Sequence, residues 1–258
     1  MASQAVELRL NSITRITMKN PRRRVAAIQL ASGSNVNANL LETERLAEQG
    51  LVAFAFVSAY SYVAPAGGTR PLYGTNPMSF AWPRSGRPPL VFDQASSASA
   101  RGEIMLHERD AKPLPEGWAI DANGRPTTDP SAALAGAQLP FGGYKGASIA
   151  LMVELLAGPL IGDVLSFEAS ERNPGDGGPP RGGELVIAID PARCVAGGDR
   201  QAQLDHAEKL FERILAQEGT RLPSDRRIQV REQTRRHGIV IPRSLHDTLR
   251  GLERGPGI

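Results

Sequence analysis

The sequence predicts an α/β fold, in which helices flank a sheet. Two apolar runs, LVAFAFV at 51–57 and GELVIAID at 183–190, have the composition of buried strands. An amphipathic helix is predicted over 199–219, ending at a glycine. Its apolar side comprises Leu204, Ala207, Phe211, Ile214 and Leu215. Strands that alternate with helices in a chain of 258 residues are typical of an α/β protein.

Glycine, proline and polar residues mark the boundaries of the other predicted elements. A helix ends at Gly50 as its cap, and Ser244 is the predicted N-cap of the last helical segment. Further strands are expected at 78–82 and 90–93, helices at 95–110 and 147–157, and loops at 58–77, 119–134 and 171–183.

Residues 139–160 contain the most informative stretch, LPFGGYKGASIALMVELLAGPL. Three glycines surround Tyr144 and Lys145, and an apolar helical run follows without a breaker. A glycine loop entering a helix presents N–H groups to an anion, and Lys145 adds a positive charge. The order of residues is not that of a P-loop. The alternative is a core helix with a glycine cap and a solvated lysine.

Composition excludes several classes of protein. The single cysteine, Cys194, rules out an internal disulfide and a zinc site of several cysteines, and suits a reducing cytoplasm. No apolar run approaches the roughly 20 residues that span a bilayer, and the first ten residues lack the layout of a signal peptide. We therefore expect a cytoplasmic protein without membrane contact.

Neither the charge of the chain nor the spacing of its possible metal ligands indicates another function. The net charge is only +3, with arginines clustered at 22–24 and 226–236. Because aromatic residues make up only 5%, a solvated basic face is favoured over nucleic-acid binding. Glu103, His107 and Asp110 have helical spacing that could suggest a metal, but a polar helix surface is the preferred interpretation and no metal site is predicted.

Five separated phrases, in this order and spacing, resemble the malate/L-lactate dehydrogenase family. They are PLYGTNPMSF, VFDQASSASARGE, LPEGWAID with PTTDP, LPFGGYKGASIALMVELL and GTRLPSDRR, and the likeness runs from about Leu46 to the C-terminus. Within the family they look most like reductases of Δ1-piperideine-2-carboxylate and Δ1-pyrroline-2-carboxylate. The resemblance implies a non-Rossmann NAD(P)-binding fold, with a mixed, largely antiparallel sheet flanked by helices. It also implies a homodimer that transfers hydride between NAD(P)H and a small keto or cyclic imino acid.

The resemblance also implies roles for individual residues. Thr75 and Arg101 match substrate contacts, and Glu103 matches an acid that supports the catalytic histidine. The positions that match cofactor contacts are Asp93, Gln94, Ala95, Tyr144, Lys145, Thr220, Arg221, Leu222, Pro223, Ser224, Asp225 and Arg226. Arg226 and Arg227 could bind a 2′-phosphate, which favours NADPH, with NADH as the alternative. Taken alone, Thr75 reads as a turn residue, and Arg101 and Glu103 as surface charges.

The sequence departs from the family pattern in its first part. The family's Ser-His-Gly motif, whose histidine donates the proton, has no counterpart, and the histidines at 107, 206, 237 and 246 match no catalytic position. We therefore expect residues 1–45 to be a diverged or truncated segment, 46–200 the NAD(P)-binding core and 201–258 a helical segment packed on it. Two alternatives remain open: a malate/L-lactate-type 2-hydroxy acid dehydrogenase, and a non-catalytic dinucleotide-binding protein.

Overall fold

The computed structural model describes residues 13–14, 25–30, 39–173, 175, 182–195 and 197–253. Its strands are β1 Ile13–Thr14, β2 Val25–Leu30, β3 Val52–Val57, β4 Met78–Trp82, β5 Leu90–Gln94, β6 Ala119–Ile120, β7 Pro126–Thr127, β8 Ala137–Gln138 and β9 Glu184–Ile189. Its α-helices are α1 Asn39–Glu48, α2 Arg101–Arg109, α3 Pro130–Ala135, α4 Tyr144–Ala157, α5 Ser166–Glu171, α6 Arg200–Leu215, α7 Asp225–His237 and α8 Arg243–Glu253. The prediction for residues 1–45 lies mostly outside the described residues.

A six-stranded sheet forms the centre of the fold, in the order β1-β2-β9-β3-β4-β5. Every ladder in it is antiparallel; Ala55, for example, lies opposite both Ser79 on β4 and Val186 on β9. The predicted α/β class with a largely antiparallel sheet is therefore confirmed. This pairing differs from the parallel sheet on which a Rossmann fold holds its dinucleotide.

The central strands are buried on both faces, and side-chain size decides which helix covers each face. Small residues of β3, β4 and β9 form one cluster with Leu46 and Ala47 of α1. Larger residues of β3 and β9 pack with Val153 and Ala157 of α4 on the other face. Because successive side chains of a strand point to opposite faces, Ala55 contacts the α1 layer and Phe56 the α4 layer.

Helix α4 is long and apolar enough, by length and composition, to cross a membrane when Ile161 is included. Its Val153 and Ala157 are nevertheless buried against the sheet, and the Glu154 carboxylate accepts three hydrogen bonds inside the protein. These contacts are those of a core helix.

A smaller sheet, β7-β6-β8, supports the region that carries α2 and α3. Ile104 of α2 is fully buried there against Leu114, Ala119 and Ala133. At the far edge of the large sheet, Leu90 packs on Phe211 of α6 and on Leu222. Apolar contacts therefore fix α2 to the smaller sheet and α6 to the edge strand β5.

Several details of the sequence prediction were wrong. The loop expected at 119–134 contains β6, β7 and most of α3. The helix expected at 95–110 begins only at Arg101, because Ala98 donates to the Leu139 carbonyl and Ser97 forms a bridge with Pro140. Helix α6 ends at Leu215, whose side chain is 45% exposed rather than buried. Helix α8 begins at Arg243, so that Ser244 lies inside it instead of capping it.

Candidate active site

Ser96, directly after β5, joins three of the predicted site segments. Its N–H donates to the Thr75 carbonyl at 2.8 Å, and its hydroxyl donates to the Asn76 carbonyl at 2.8 Å. Its own carbonyl accepts from the Phe141 N–H at 3.1 Å. Ser96 is fully buried. It therefore holds Thr75 and the glycine loop against the end of β5, where the predicted residues Gln94 and Ala95 lie.

The glycine loop has the conformation that its composition predicted. Gly142 and Gly143 have φ angles of +56° and +64°, which side-chain-bearing residues rarely adopt. At Gly146, a Cβ atom would lie 2.3 Å from the Phe141 carbonyl oxygen and 2.9 Å from that of Ser96. Glycine is therefore required at 146 for close packing and at 142 and 143 for backbone angle.

The helix end behind this loop offers fewer free donors than expected. The N–H groups of Lys145, Gly146 and Ala147 donate to the loop carbonyls of Gly142, Phe141 and Gly143, at 3.4, 2.9 and 3.2 Å. Two of the N–H groups that the prediction left free for an anion, those of Lys145 and Gly146, are therefore bonded within the loop, and the Ala147 bond to Gly143 is the first regular bond of the helix. Tyr144 and Lys145 are both exposed, and the lysine ammonium is the charged donor at this end.

The late loop, residues 220–226, lies along the other side of β5. Ser224 is bonded to Val91 in both directions, its Oγ accepting from the Val91 N–H at 2.7 Å and donating to the Val91 carbonyl at 2.6 Å. Leu222 is 2% exposed, and its N–H donates to the Asp225 carboxylate at 2.9 Å. Thr220 donates to the Gln217 carbonyl at 2.9 Å. The remaining side chains of the loop, Arg221, Pro223 and Arg226, are exposed.

Asp93 of β5 and Arg227 of α7 are close enough for the charge of each to act on the pKa of the other. Asp93 is an exposed residue, yet desolvation of its carboxyl raises the pKa of that group. A hydrogen bond from the Leu40 N–H and the charge of Arg227 both oppose the rise. Desolvation likewise lowers the pKa of the half-buried Arg227 guanidinium. The Nε and Nη2 atoms of Arg227 are buried and have no hydrogen-bond partner in the described part of the chain, whereas Arg226 beside it faces solvent.

Arg101, the first residue of α2, is held by an aromatic residue that sequence reasoning missed. Its guanidinium carbon is 4.1 Å from the centre of the Tyr62 ring, and its Nη2 donates to the Leu134 carbonyl at 3.1 Å. Desolvation lowers the pKa of Arg101. The Tyr62 N–H donates to the Tyr73 carbonyl at 2.8 Å, two residues before Thr75. Arg101 and Thr75 are therefore connected through one short ladder.

Glu103 is placed differently. Its carboxylate is half exposed and lies 3.9 Å from Nε2 of His107, whose Nδ1 is 2.8 Å from the Pro113 carbonyl oxygen. These contacts, on the outer side of α2, link Glu103 to His107 rather than to the residues around Ser96. Asp110 pairs with Arg109 at 2.7 Å. Among the described residues, no group of three His, Cys, Asp or Glu side chains is arranged to hold a metal.

Comparison with known proteins decides the family. Residues 16–250 match the family model described as malate/L-lactate dehydrogenase. The chain belongs to this family. It is 53% identical over 228 residues to the Δ1-pyrroline-2-carboxylate/Δ1-piperideine-2-carboxylate reductase of Pseudomonas aeruginosa, covering 88% of this chain and 68% of that protein. It is 50% identical over 207 residues to the NADP⁺-named (2R)-3-sulfolactate dehydrogenase of Chromohalobacter salexigens, covering 80% of this chain and 60% of the relative.

A solved structure in the family has the same fold. The Δ1-piperideine-2-carboxylate reductase of Pseudomonas syringae superimposes with a TM-score of 0.77 at 40% identity, over 88% of this chain and 68% of that one. The chain thus spans about two thirds of the length of these reductases. The family confirms an oxidoreductase frame that works with a nicotinamide dinucleotide and a small-molecule substrate.

Proposed function

We propose that this chain is an NADPH-dependent reductase of cyclic 2-imino acids. The reaction would convert Δ1-piperideine-2-carboxylate to L-pipecolate and Δ1-pyrroline-2-carboxylate to L-proline, the substrates in the names of its relatives. The observation that carries the proposal is the convergence of Thr75, the end of β5 and the glycine loop on the buried Ser96.

The residues at this place fit a dinucleotide. The Lys145 ammonium and the Tyr144 N–H stand at the open end of α4, where a pyrophosphate would gain both a charge and a helix dipole. The loop at 220–226 is held by Ser224 and carries the exposed Arg226, whose guanidinium we assign to a 2′-phosphate together with that of Arg227 next to it. This supports NADPH over NADH. When bound, the cofactor supplies the hydride.

The substrate side of the proposed site fits a carboxylate. Arg101 keeps its charge although half-buried, because the Tyr62 ring face stabilises a cation. Thr75 can supply a hydroxyl donor from a turn that is fixed on both sides. We assign carboxylate binding to these two residues, and we retain Glu103 as the acid that would support a proton-donating histidine.

We further propose a homodimer in the cytoplasm. Helix α4 turns Leu151, Met152 and Leu155 outward, at 45%, 39% and 52% exposure, next to Leu160 at 65%. An apolar stripe of this kind is typical of a surface that another subunit covers. The single cysteine suits a reducing compartment.

The proposal is tested by offering NADPH with Δ1-piperideine-2-carboxylate, Δ1-pyrroline-2-carboxylate, pyruvate, oxaloacetate and 3-sulfopyruvate in parallel, and following nicotinamide absorbance. Imino-acid reduction at a higher kcat/KM than keto-acid reduction is the expected result. Arg101→Lys keeps the charge but loses the planar fork, and should raise KM for the imino acid. Arg87→Lys, at an exposed arginine that pairs with Glu208 at 3.6 Å, is the matched control.

One specific observation favours a second candidate, a 2-hydroxy acid dehydrogenase. The sulfolactate dehydrogenase relative is nearly as similar to this chain as the reductases are. Preferential turnover of 3-sulfopyruvate in the same assay would support this second function over the first.

A further inference from the structure

Glu154 is a buried carboxylate in the middle of the apolar helix α4. It is 4% exposed, and both of its oxygens accept hydrogen bonds from outside the helix. Oε1 accepts from the Gly74 N–H at 3.2 Å and from Asn76 Nδ2 at 2.8 Å, and Oε2 accepts from the Ser166 N–H at 3.0 Å. Two of the three donors therefore come from the residues that flank Thr75.

The turn around Thr75 needs such an anchor because its backbone is unusual. Asn76 has a φ of +41°, and its side-chain amide also donates to the Ala150 carbonyl of α4 at 2.9 Å. A Cβ at Gly74 would lie 2.4 Å from Asn76 Oδ1 and 2.9 Å from Ser166 Oγ. The turn is thus packed tightly against α4 and cannot shift without breaking the contacts of Glu154.

Thr75 is held from the opposite side by Ser96, as described above. The Thr75 carbonyl accepts the Ser96 N–H, and the Ser96 carbonyl accepts the Phe141 N–H of the glycine loop. Glu154 therefore fixes one side of the Thr75 turn, and the end of β5 fixes the other. The two contacts together define where the Thr75 hydroxyl stands relative to the glycine loop.

We propose that Glu154 is a positioning residue for substrate binding, acting through Asn76 on Thr75. This inference rests on the proposed function, because that function assigns substrate binding to Thr75. A carboxylate in an apolar helix is costly to desolvate, and a residue that only filled space would be apolar. The Oε1 atom of Glu154 accepts from Gly74 and Asn76, the residues on either side of Thr75, and this links the carboxylate to the position of Thr75.

The test compares Glu154→Gln with Glu168→Gln. Glutamine keeps the volume at 154 but removes the charge, and its single oxygen cannot serve Ser166 and the Gly74–Asn76 pair together, so the bonds to the Thr75 turn are weakened or lost. Glu168 lies nearby on α5, where it accepts the Leu165 N–H at 2.8 Å without contacting the Thr75 turn. Binding is measured with NADP⁺ alone, and with pyrrole-2-carboxylate in saturating NADP⁺, by calorimetry.

For Glu154→Gln we expect the Kd of pyrrole-2-carboxylate to rise about tenfold, as for one lost charge-assisted hydrogen bond, and the Kd of NADP⁺ to stay within about twofold. Where turnover is measurable, KM for the imino acid should rise more than kcat falls. Glu168→Gln should leave both dissociation constants unchanged. A glutamine variant with wild-type affinity, or one that loses cofactor and analogue affinity equally, overturns the positioning role.

Asn76→Gly provides a second test if Glu154→Gln does not fold. Glycine accepts the positive φ and removes the side-chain link to Glu154, so the same selective loss of analogue affinity is expected. Unchanged analogue binding by a folded Asn76→Gly protein contradicts the proposal. If the wild-type protein binds neither NADP⁺ nor the analogue, the proposed function itself fails. If the wild type binds both and the Glu154→Gln variant binds them equally well, only the positioning role of Glu154 fails.

Discussion

The Ser224 hydroxyl is bonded to both the N–H and the carbonyl of Val91. Val91 lies on β5, the edge strand of the large sheet, whose outward backbone groups would otherwise have no ladder partner. A single side chain thus substitutes for a neighbouring strand. It also ties the loop at 220–226 to the strand that ends in Asp93 and Gln94, so that two predicted cofactor segments are fixed together.

Replacing Ser224 with alanine should therefore weaken both folding and cofactor binding. Two buried backbone groups lose their partner, which costs about 1–3 kcal/mol of unfolding free energy. We expect the Kd of NADPH to rise as well, because the loop is released. Urea denaturation and a nicotinamide fluorescence titration measure the two effects. Ser85→Ala, which removes an exposed hydroxyl 3.2 Å from Gln201, is the control and should change neither. Equal stability of both variants would contradict the anchoring role.

Lys145 provides a sharper test of the cofactor site. Because the loop carbonyls already bind the N–H groups of Lys145 and Gly146, the ammonium carries more of the expected anion binding than the sequence alone suggested. Lys145→Ala should weaken NADPH binding by on the order of 1–3 kcal/mol, the usual effect of one charge-assisted bond.

Fluorescence of the reduced nicotinamide gives that affinity directly. Lys112→Ala removes a surface lysine that lies 3.8 Å from the Asp110 carboxylate, and should leave the affinity unchanged. If Lys145→Ala binds NADPH as the wild type does, the lysine does not belong to the site.

The proposed homodimer depends on the outward face of α4. Leu155→Glu places a charge in the middle of the exposed stripe, so we expect a dimeric wild type to become monomeric at micromolar concentration. Light scattering gives the mass. Leu210→Glu, at a 59% exposed leucine of α6, should leave the dimer intact. A monomeric wild type would refute the homodimer.

The pKa of Glu184 predicts a pH dependence of stability. Desolvation, with a smaller contribution from the charge of Glu42, raises the pKa of this carboxyl from 4.5 to about 7. Because the folded state holds the proton more tightly than the unfolded state, stability falls as pH rises from about 4.5 to 7. The loss is complete above pH 7 and amounts to at most about 3 kcal/mol.

Glu184→Gln should remove this dependence. The variant should match the wild type near pH 4 and be more stable above pH 7, by up to the same amount. Urea unfolding at both pH values measures the difference. Glu171→Gln, on an exposed residue of α5, should track the wild type throughout. A Glu184→Gln variant that is less stable than the wild type at pH 8 would show that the carboxylate is favourably paired.

The sequence was sufficient for the strands but not for the contacts that assemble the site. The strands at 52–57 and 78–82 are read easily because buried apolar runs depend on local pattern alone. The role of Ser96 could not be read, since its partners lie about 20 and 45 residues away along the chain. The same long-range bonds shorten α2, because the backbone at 97–98 pairs with 139–140 instead of continuing a helix. Local propensity is overridden wherever such tertiary bonds compete with it.

The final prediction concerns proton transfer. Reduction of an imine requires hydride at carbon and a proton at nitrogen, from a donor within hydrogen-bond reach. The sequence contains no Ser-His-Gly, and His206, His237 and His246 lie on exposed parts of α6, α7 and α8. His107 is the histidine that faces Glu103, but it lies against Trp118 and the Pro113 carbonyl.

We therefore expect a polypeptide of these 258 residues to bind NADPH and yet turn over roughly 10²–10⁴-fold more slowly than a relative that carries the motif, because a positioned acid usually contributes about that factor. Fusing the N-terminal Ser-His-Gly segment of the Pseudomonas aeruginosa reductase should restore kcat, and the same fusion with that histidine changed to alanine should not. The His107→Ala variant tests whether His107 donates the proton instead. If the unfused chain is fully active and His107→Ala abolishes that activity, the Glu103–His107 pair donates the proton. If activity is high and insensitive to all four histidines, water or another side chain does so, and the inference from the absent motif is wrong.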